Sequence, residues 1–232
     1  MDVKDIKYPI YIVSKGRWEN PLTARALLSE SIPFKIAVEP QEYESYCDVV
    51  GARNVLKLPF QNLGLGSYPA RNECWSHSSS EGHAKHFLFD DNIYGFCRFN
   101  RGLRTKCSAI EAIVTLQTLT DRYQNVAISG FNYRYFVDPS LSKPFFINTH
   151  VYSGMLIDNS IPYRWRLKYN EDVDLCLQVL NDRKQCTILL NAYLINKVST
   201  TVKMKGGNQS ELYKGNDPQK KMLKTKSLEM VW

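Results

Sequence analysis

No stretch of the chain approaches the roughly 20 apolar residues that a transmembrane helix requires, and none of its six cysteines forms a Cys-x-x-Cys pair. The first absence argues against a membrane span. The N-terminus, Met1-Asp2-Val3-Lys4-Asp5, is polar and lacks the apolar core of a signal peptide. Without a secretory signal, a large chain has little use for a disulfide framework. The cysteines at 47, 74, 97, 107, 176 and 186 are therefore expected as reduced thiols packed as small hydrophobes, in a soluble, cytoplasmic protein. Histidine is scarce too. His77, His83 and His86 lie near one another, but their spacing matches no recognised metal-ligand set and suits core or surface roles. There is no internal repeat, which excludes a solenoid.

What is present fits one large domain: 232 residues, 44% of them hydrophobic. The net charge of +7 is unevenly spread. Arg98, Arg101, Arg104 and Lys106 stand together without an acid, and from Lys203 onward seven lysines face three acids. Clustered positive charge suits a polyanionic partner such as nucleic acid, and equally a solvated basic surface. The expected layout is one main domain over 1–205 and a basic tail over 206–232, packed on it and ending in a helix begun by Asp217-Pro218.

Strand and helix patterns alternate, which predicts an α/β sheet. Tyr8–Val13, Phe34–Val38, Asn54–Leu58, His86–Phe89, Val126–Ile128 and Thr187–Leu190 read as strands. Asn20-Pro21 reads as an N-cap followed by Pro at the first helical position, and a helix from about Pro69 carries Ala70, Cys74 and Trp75 on one side. Ser108 and Glu111 have capping-box spacing before the stripe Ala109, Ala112, Ile113 and Leu116. Val173, Cys176, Leu177 and Leu180 recur at i, i+3, i+4 and i+7, which puts Glu171-Asp172 at the N-terminus of an amphipathic helix.

Three clusters carry potential chemistry. Asp90-Asp91-Asn92 follows the apolar run His86–Phe89. Adjacent carboxylates at a strand end repel unless neutralised, and a hard divalent cation is one way to neutralise them; an ordinary Asp-Asn turn is the alternative. Asn170-Glu171-Asp172 suits a helix N-terminus on electrostatic grounds alone, but a carboxylate there also serves as a general base. Arg71 and Asn72 read either as nucleotide contacts or as a surface pair. Trp165 reads as a stacking platform or as ordinary packing.

In order along the chain, these pieces resemble the GT-A glycosyltransferases. The match runs Gly-Leu-Gly-Ser-Tyr-Pro-Ala-Arg-Asn from Gly64 to Asn72, then Phe-Leu-Phe-Asp-Asp-Asn to Asn92, then Glu171-Asp172. Asn-Glu-Asp-Val-Asp-Leu at 170–175, with His150-Val-Tyr-Ser-Gly-Met-Leu-Ile and Pro162-Tyr-Arg-Trp-Arg166 before it, narrows the resemblance to the TET/JBP-associated glycosyltransferases over roughly 8–205. That family is largely phage-encoded, and its inferred role is to attach sugars to hydroxymethylated pyrimidines in DNA.

The resemblance implies a GT-A, Rossmann-like α/β fold with a central mixed, mostly parallel sheet. It also implies a UDP-sugar donor and an acceptor of 5-hydroxymethylcytosine in DNA. It assigns Mn²⁺ or Mg²⁺ and the diphosphate to Asp90, Asp91 and Asn92, and nucleotide contacts to Ser14, Lys15, Arg17, Glu39, Arg71 and Asn72. Asp172 becomes the acceptor-activating base with Glu171 beside it, and Arg98, Arg101, Arg104 and Lys106 become DNA-phosphate contacts. The chain departs from the pattern twice: position 92 is Asn, and no histidine follows His150. Lys203 or Lys205 is therefore a candidate to neutralise the leaving diphosphate. A saccharide or protein acceptor, or a non-enzymatic basic nucleic-acid-binding module, are the competing readings.

Overall fold

The structure is a computed structural model that describes residues 1–140, 143–198, 206–207, 212 and 218–232, with the backbone alone for 218–221. Lys203 and Lys205 lie outside the described residues.

One mixed sheet organises the chain. Its strands are β1 (Ile10–Val13), β2 (Lys35–Val38), β3 (Val55–Lys57), β4 (Lys85–Asp90), β5 (Ile93–Asn100), β6 (Leu103–Cys107), β7 (Val126–Tyr133), β8 (Phe145–Ile147), β9 (Gly154–Asp158) and β10 (Cys186–Lys197). They lie in the order β3-β2-β1-β4-β9-β7-β10-β5-β6, with β8 pairing β10. Around them pack α1 (Leu22–Leu28), α2 (Tyr43–Val50), α3 (Tyr68–Ser80), α4 (Ala109–Thr120), α5 (Glu171–Asn181) and α6 (Pro218–Glu229). The run β3-β2-β1-β4 is all parallel, as is β7 with β10; β9, β5, β6 and β8 pair antiparallel.

Parallel pairing places like ends together. Val13 is opposite both Ala37 and Asp90, and Val38 is opposite Lys57. The residues that follow β1 and β2, Ser14 and Glu39, therefore emerge beside the acidic end of β4, where open α/β sheets bind ligands. Both faces of the sheet are covered, which explains the unbroken apolar runs of its central strands. Phe87 and Phe89 pack on the α1/α4 side with Ile10, Ile12 and Ile113. Leu88 packs on the other side with Tyr11, Trp75, Trp165 and Leu175.

Strand β10 is the long element that completes the site. It runs parallel to β7, with a register shift between Leu190 and Leu194, and from Tyr193 also pairs antiparallel with β5 on its other edge until Lys197 stands opposite Ile93. This brings a lysine from the end of the chain's last strand to the acidic motif at the end of β4.

Local chemistry differs from the sequence reading at three places. Pro21 occupies the N-cap of α1 rather than its first turn. At α4 the Ser108 hydroxyl accepts from the Glu111 N–H at 3.0 Å, while the Glu111 carboxylate turns away to accept from Tyr193 Oη at 2.6 Å. The buried face of α5 is Asp174, Leu175, Cys176 and Val179, and Leu177 is exposed. Asp174 tolerates burial because Arg166, Gln178 and the Trp232 indole N–H all donate to it. A carboxylate so well partnered belongs inside the protein, and the helix is turned accordingly. The six cysteines are free thiols. No helix among the described residues is long and apolar enough to cross a membrane.

Of the early histidines, His86 is fully buried on β4, with Nδ1 bonded to Asn159 Oδ1 at 2.6 Å. Burial pushes its pKa down to about 4 from 6.5, the Asn159 bond opposing the shift. The unfolded chain therefore binds more protons between these two values. Stability present above pH 6.5 is lost as the pH falls towards 4, on the order of 3 kcal/mol from this residue. Urea denaturation at a series of pH values is expected to show this loss, and a His86→Gln variant is expected to lack that share of it.

Candidate active site

A cavity of about 280 Å³ opens at the strand ends. Its walls come from the turn after β1 (Ser14, Lys15, Arg17), from Glu39, from α3 and the residue before it (Ser67, Ala70, Arg71), and from Asp90-Asp91-Asn92. Tyr133, Ser153, Lys197 and the start of α5 (Asn170, Glu171, Asp172) close it, with Gly207 and Lys224 at its margin. Ten of the expected site residues thus meet in one space: Ser14, Lys15, Arg17, Glu39, Arg71, Asp90, Asp91, Asn92, Glu171 and Asp172.

The two aspartates are held in different directions. Asp90 Oδ1 accepts from Arg71 Nη2 at 2.8 Å; Asp90 Oδ2 accepts from Lys197 Nζ at 2.6 Å and Ser153 Oγ at 2.7 Å. Burial opposes ionisation of Asp90, but Lys197 and Arg71 overcome it and hold the carboxyl well below its ordinary range. Asp91 Oδ1 pairs with Arg17, and Asp91 Oδ2 accepts from Ser14 Oγ at 2.6 Å. Here burial prevails over Arg17 and Ser14, and the Asp91 pKa is raised. Asn92 donates to Val198 O at 3.2 Å, and its Oδ1 is buried without a partner among the described residues.

As held here, the donor set of Asp90, Asp91 and Asn92 fits cationic side chains rather than the divalent ion expected at those residues. Every oxygen of the two carboxylates is occupied by a cation or a hydroxyl, leaving one neutral amide oxygen, whereas Mg²⁺ and Mn²⁺ seek several oxygen ligands. The repulsion between adjacent carboxylates is relieved by Lys197, Arg71 and Arg17 instead. No group of three His, Cys, Asp or Glu side chains among the described residues is arranged to hold a metal.

The remaining contacts are specific. Lys15 Nζ is 2.9 Å from Glu39 Oε1, and Glu39 Oε2 accepts from the Asn62 N–H at 2.9 Å. Burial raises the Glu39 pKa, but the Asn62 N–H and Lys15 outweigh it, so the net shift is downward. The turn holding Lys15 is clasped by Gly206-Gly207: Gly207 N donates to Lys15 O at 2.7 Å. Gly206 has φ +85°, and a Cβ there would sit 2.5 Å from Lys15 O, so only glycine fits. Beside Glu39, Val13, Leu58 and Phe60 give the cavity an apolar wall.

At the far side, Glu171 accepts from Ser67 Oγ at 2.8 Å, a hydroxyl that would otherwise cap α3. Burial raises the Glu171 pKa, with Arg71 opposing. Asp172 moves the other way. Burial works against its ionisation, but His150, whose Nε2 is 3.1 Å from Asp172 Oδ2, and then Arg71 hold it below its ordinary value. Neighbouring carboxyls driven apart in this way separate an ionised base from a group that keeps its proton more readily. Ser153 and Asn170 have left-handed backbones, φ 58° and 55°, a cost that non-glycine residues bear mainly at functional sites.

Two expected roles are placed elsewhere. Asn72 does not line the cavity; it clamps the Trp165 backbone, donating to its O at 2.7 Å and accepting from its N at 3.1 Å. Trp165 is buried with the Arg71 guanidinium 4.9 Å over its ring, so it backs Arg71 rather than offering a free face. The basic run Arg98–Lys106 forms the β5–β6 hairpin at the sheet edge, and its charges are divided. Arg104 and Lys106 pair with Phe99 and Cys97 on one face, Arg98 pairs with Thr105 on the other, and Arg101 sits in the turn. Lys197, Ser153, Tyr133, Ser67 and His150 were not foreseen as site residues. Ser67, His150 and Ser153 stand inside the short motifs that carried the resemblance but were given no role there, whereas Tyr133 and Lys197 reach the cavity only through long-range strand pairing, and nothing in their sequence neighbourhood marks them.

Comparison with known proteins places the chain in a family. The family model described as TET-Associated Glycosyltransferase matches residues 8–207. No curated protein matches the chain. Among solved structures, one from Desulfovibrio desulfuricans G20 described as a nucleotide-diphospho-sugar transferase is similar at 10% identity and TM-score 0.43, covering 82% of this chain and 80% of its own. The inositol-1-phosphate CTP transferase of T. maritima is similar at 9% identity and TM-score 0.42, covering 86% and 93%.

Proposed function

The chain belongs to the TET-associated glycosyltransferases, and from that premise we propose that it moves a sugar from UDP to the hydroxymethyl group of 5-hydroxymethylcytosine in DNA. A glycosyltransferase is an enzyme, so the reading as a non-enzymatic basic nucleic-acid-binding module is set aside. The observation that carries the proposal is that one cavity joins a cation-rich strand end to an ionised carboxylate, Asp172.

The uracil lies against Val13, Leu58 and Phe60 with Glu39 and Lys15 at its polar edge. The diphosphate lies towards Arg17, Arg71 and Lys197, where charge-assisted bonds hold phosphate oxygens. Asp172 accepts the proton of the acceptor hydroxyl as its oxygen attacks the anomeric carbon. The bond from that carbon to the diphosphate breaks, and its electron pair stays on the phosphate oxygen. Lys197 and Arg71 stabilise that developing charge from fixed positions, without reorganising as it forms. Of the basic hairpin, Arg104 and Lys106 on one face and Arg101 in the turn meet DNA phosphates, so binding weakens steeply with salt; Arg98 lies on the other face.

Mass spectrometry of nucleosides from hydroxymethylated DNA, treated with the enzyme and a panel of UDP-sugars, tests the reading. The expected result is a mass gain of one sugar on hydroxymethylcytosine with at least one donor. No gain with any donor, alongside transfer to an oligosaccharide, overturns it.

A further inference from the structure

Beyond the donor cavity lies a second one, of about 240 Å³, lined by Tyr94, Arg104, Arg134, Tyr135, Asn196 and Lys197. The two cavities share Lys197. Around the second, Tyr94, Tyr135 and Phe136 are more than half exposed. Large aromatic side chains grouped on a surface mark an interaction site, because each forfeits burial the fold could have used.

The rings are connected to the catalytic carboxylate. Phe136 lies 5.2 Å from Tyr133, Tyr133 is 4.3 Å from Tyr152, and Tyr152 is 5.0 Å from His150. His150 contacts Asp172. Tyr152 and Tyr133 are anchored from below: Tyr152 Oη donates to Asn132 Oδ1 at 2.6 Å, and Tyr133 Oη bonds Ser153. The path from the exposed rings to the base is therefore a packed aromatic wall. Its rim is basic, with Arg104 and Arg134 beside the rings and Arg101 and Lys106 further along the hairpin; Asp138, also nearby, accepts from Ser140. Two buried polar atoms at this cavity, Arg104 Nε and Asn196 Oδ1, have no partner among the described residues.

We infer that this second cavity is the acceptor subsite, and that it takes a nucleic-acid strand with an unstacked base lying on Tyr135 and Phe136. The inference rests on the proposed function and deepens it. Exposed π-faces bordered by arginine bind single strands, because stacking serves the base and the guanidinium serves the phosphate. A base inside a duplex has both faces covered by its neighbours and offers none to these rings. The acceptor is therefore single-stranded, or is extruded from the duplex before transfer. Arg104 and Arg134, which line this cavity, supply the guanidinium groups that meet the strand's phosphates.

Fluorescence anisotropy with labelled single-stranded and duplex oligonucleotides containing hydroxymethylcytosine tests this. The Tyr135→Ala/Phe136→Ala double variant is expected to bind the single strand about 10- to 100-fold more weakly. Phe136→Leu, which keeps the apolar bulk and removes the ring face, is expected to weaken it in the same direction. Both are expected to keep the thermal shift given by UDP, which shows the fold and donor site intact. Unaltered single-strand affinity in both variants, in an enzyme that still glycosylates DNA, overturns the subsite and leaves the proposed function standing. An unaltered enzyme that neither binds nor modifies DNA, yet glycosylates an oligosaccharide, overturns both.

Discussion

Asp172→Asn lowers the rate of sugar transfer by about 10²- to 10⁴-fold, the span typical of losing a positioned general base. Asn matches Asp in size and keeps an oxygen for the bond that Asp172 Oδ1 now accepts from the Val173 N–H at 2.9 Å. The fold and donor binding are therefore expected to survive, and single-turnover kinetics set beside a UDP thermal shift separate the two effects. Near-normal turnover in the Asp172→Asn variant would sink the assignment. The pH profile gives a second check. Because His150 and Arg71 hold the Asp172 pKa below its ordinary value, the base is ionised across the neutral range, and the acid limb of kcat/KM lies below the ordinary aspartate value. His150→Gln removes the first of the lowering influences, so the limb moves to higher pH.

Lys197→Met has the other large effect. Lys197 is almost fully buried and touches Asp90, Ser153 and Tyr133. Methionine fills much of the same volume but leaves Asp90 in the interior with Arg71 as its one cationic partner among the described residues. Removing one member of a buried pair typically costs about 3–5 kcal/mol. Unfolding measurements are expected to show a loss of that order, and donor binding and transfer are expected to fall together, because the same ammonium group faces the cavity. The companion measurement is metal removal. With every carboxylate oxygen of Asp90 and Asp91 occupied, excess chelator leaves the unaltered enzyme's rate unchanged. A rate that vanishes with chelator and returns with Mn²⁺ refutes that reading of the cluster.

Lys197 shows why the site was only partly legible in the sequence. Asp90-Asp91-Asn92 stood out because two carboxylates at the end of an apolar strand are electrostatically conspicuous over three residues. What neutralises them was not visible. The sequence suggested a metal ion, and its lysine candidates, Lys203 and Lys205, were assigned to the leaving diphosphate rather than to these carboxylates. The structure puts Lys197 beside them, because β10 shifts register against β7 after Leu190 and from Tyr193 also pairs with β5, whose first residue, Ile93, stands opposite Lys197. Asn72 is the converse case: adjacent to Arg71 in sequence, it points a different way on α3 and spends its amide on Trp165.

By itself the sequence determined the α/β class, six of the strands and the two acidic motifs, since these are encoded by period-2 and period-3.6 patterns and by residues close together in the chain; β5, β6, β8, β9 and α2 carried no such signal and were not read from it. It also held enough ordered short motifs to identify the family over most of its length. Only the tertiary structure decided which side chains meet these carboxylates: Arg71 and Lys197 at Asp90, Arg17 at Asp91, His150 at Asp172. Only the tertiary structure, too, brought Tyr94, Arg104, Arg134 and Tyr135 around one hollow beside Lys197. The reason is the same in each case. Local pattern sets which residues form a strand or helix, but side chains dozens of residues apart meet through strand pairing across a sheet, and that pairing is fixed by the packing of the whole.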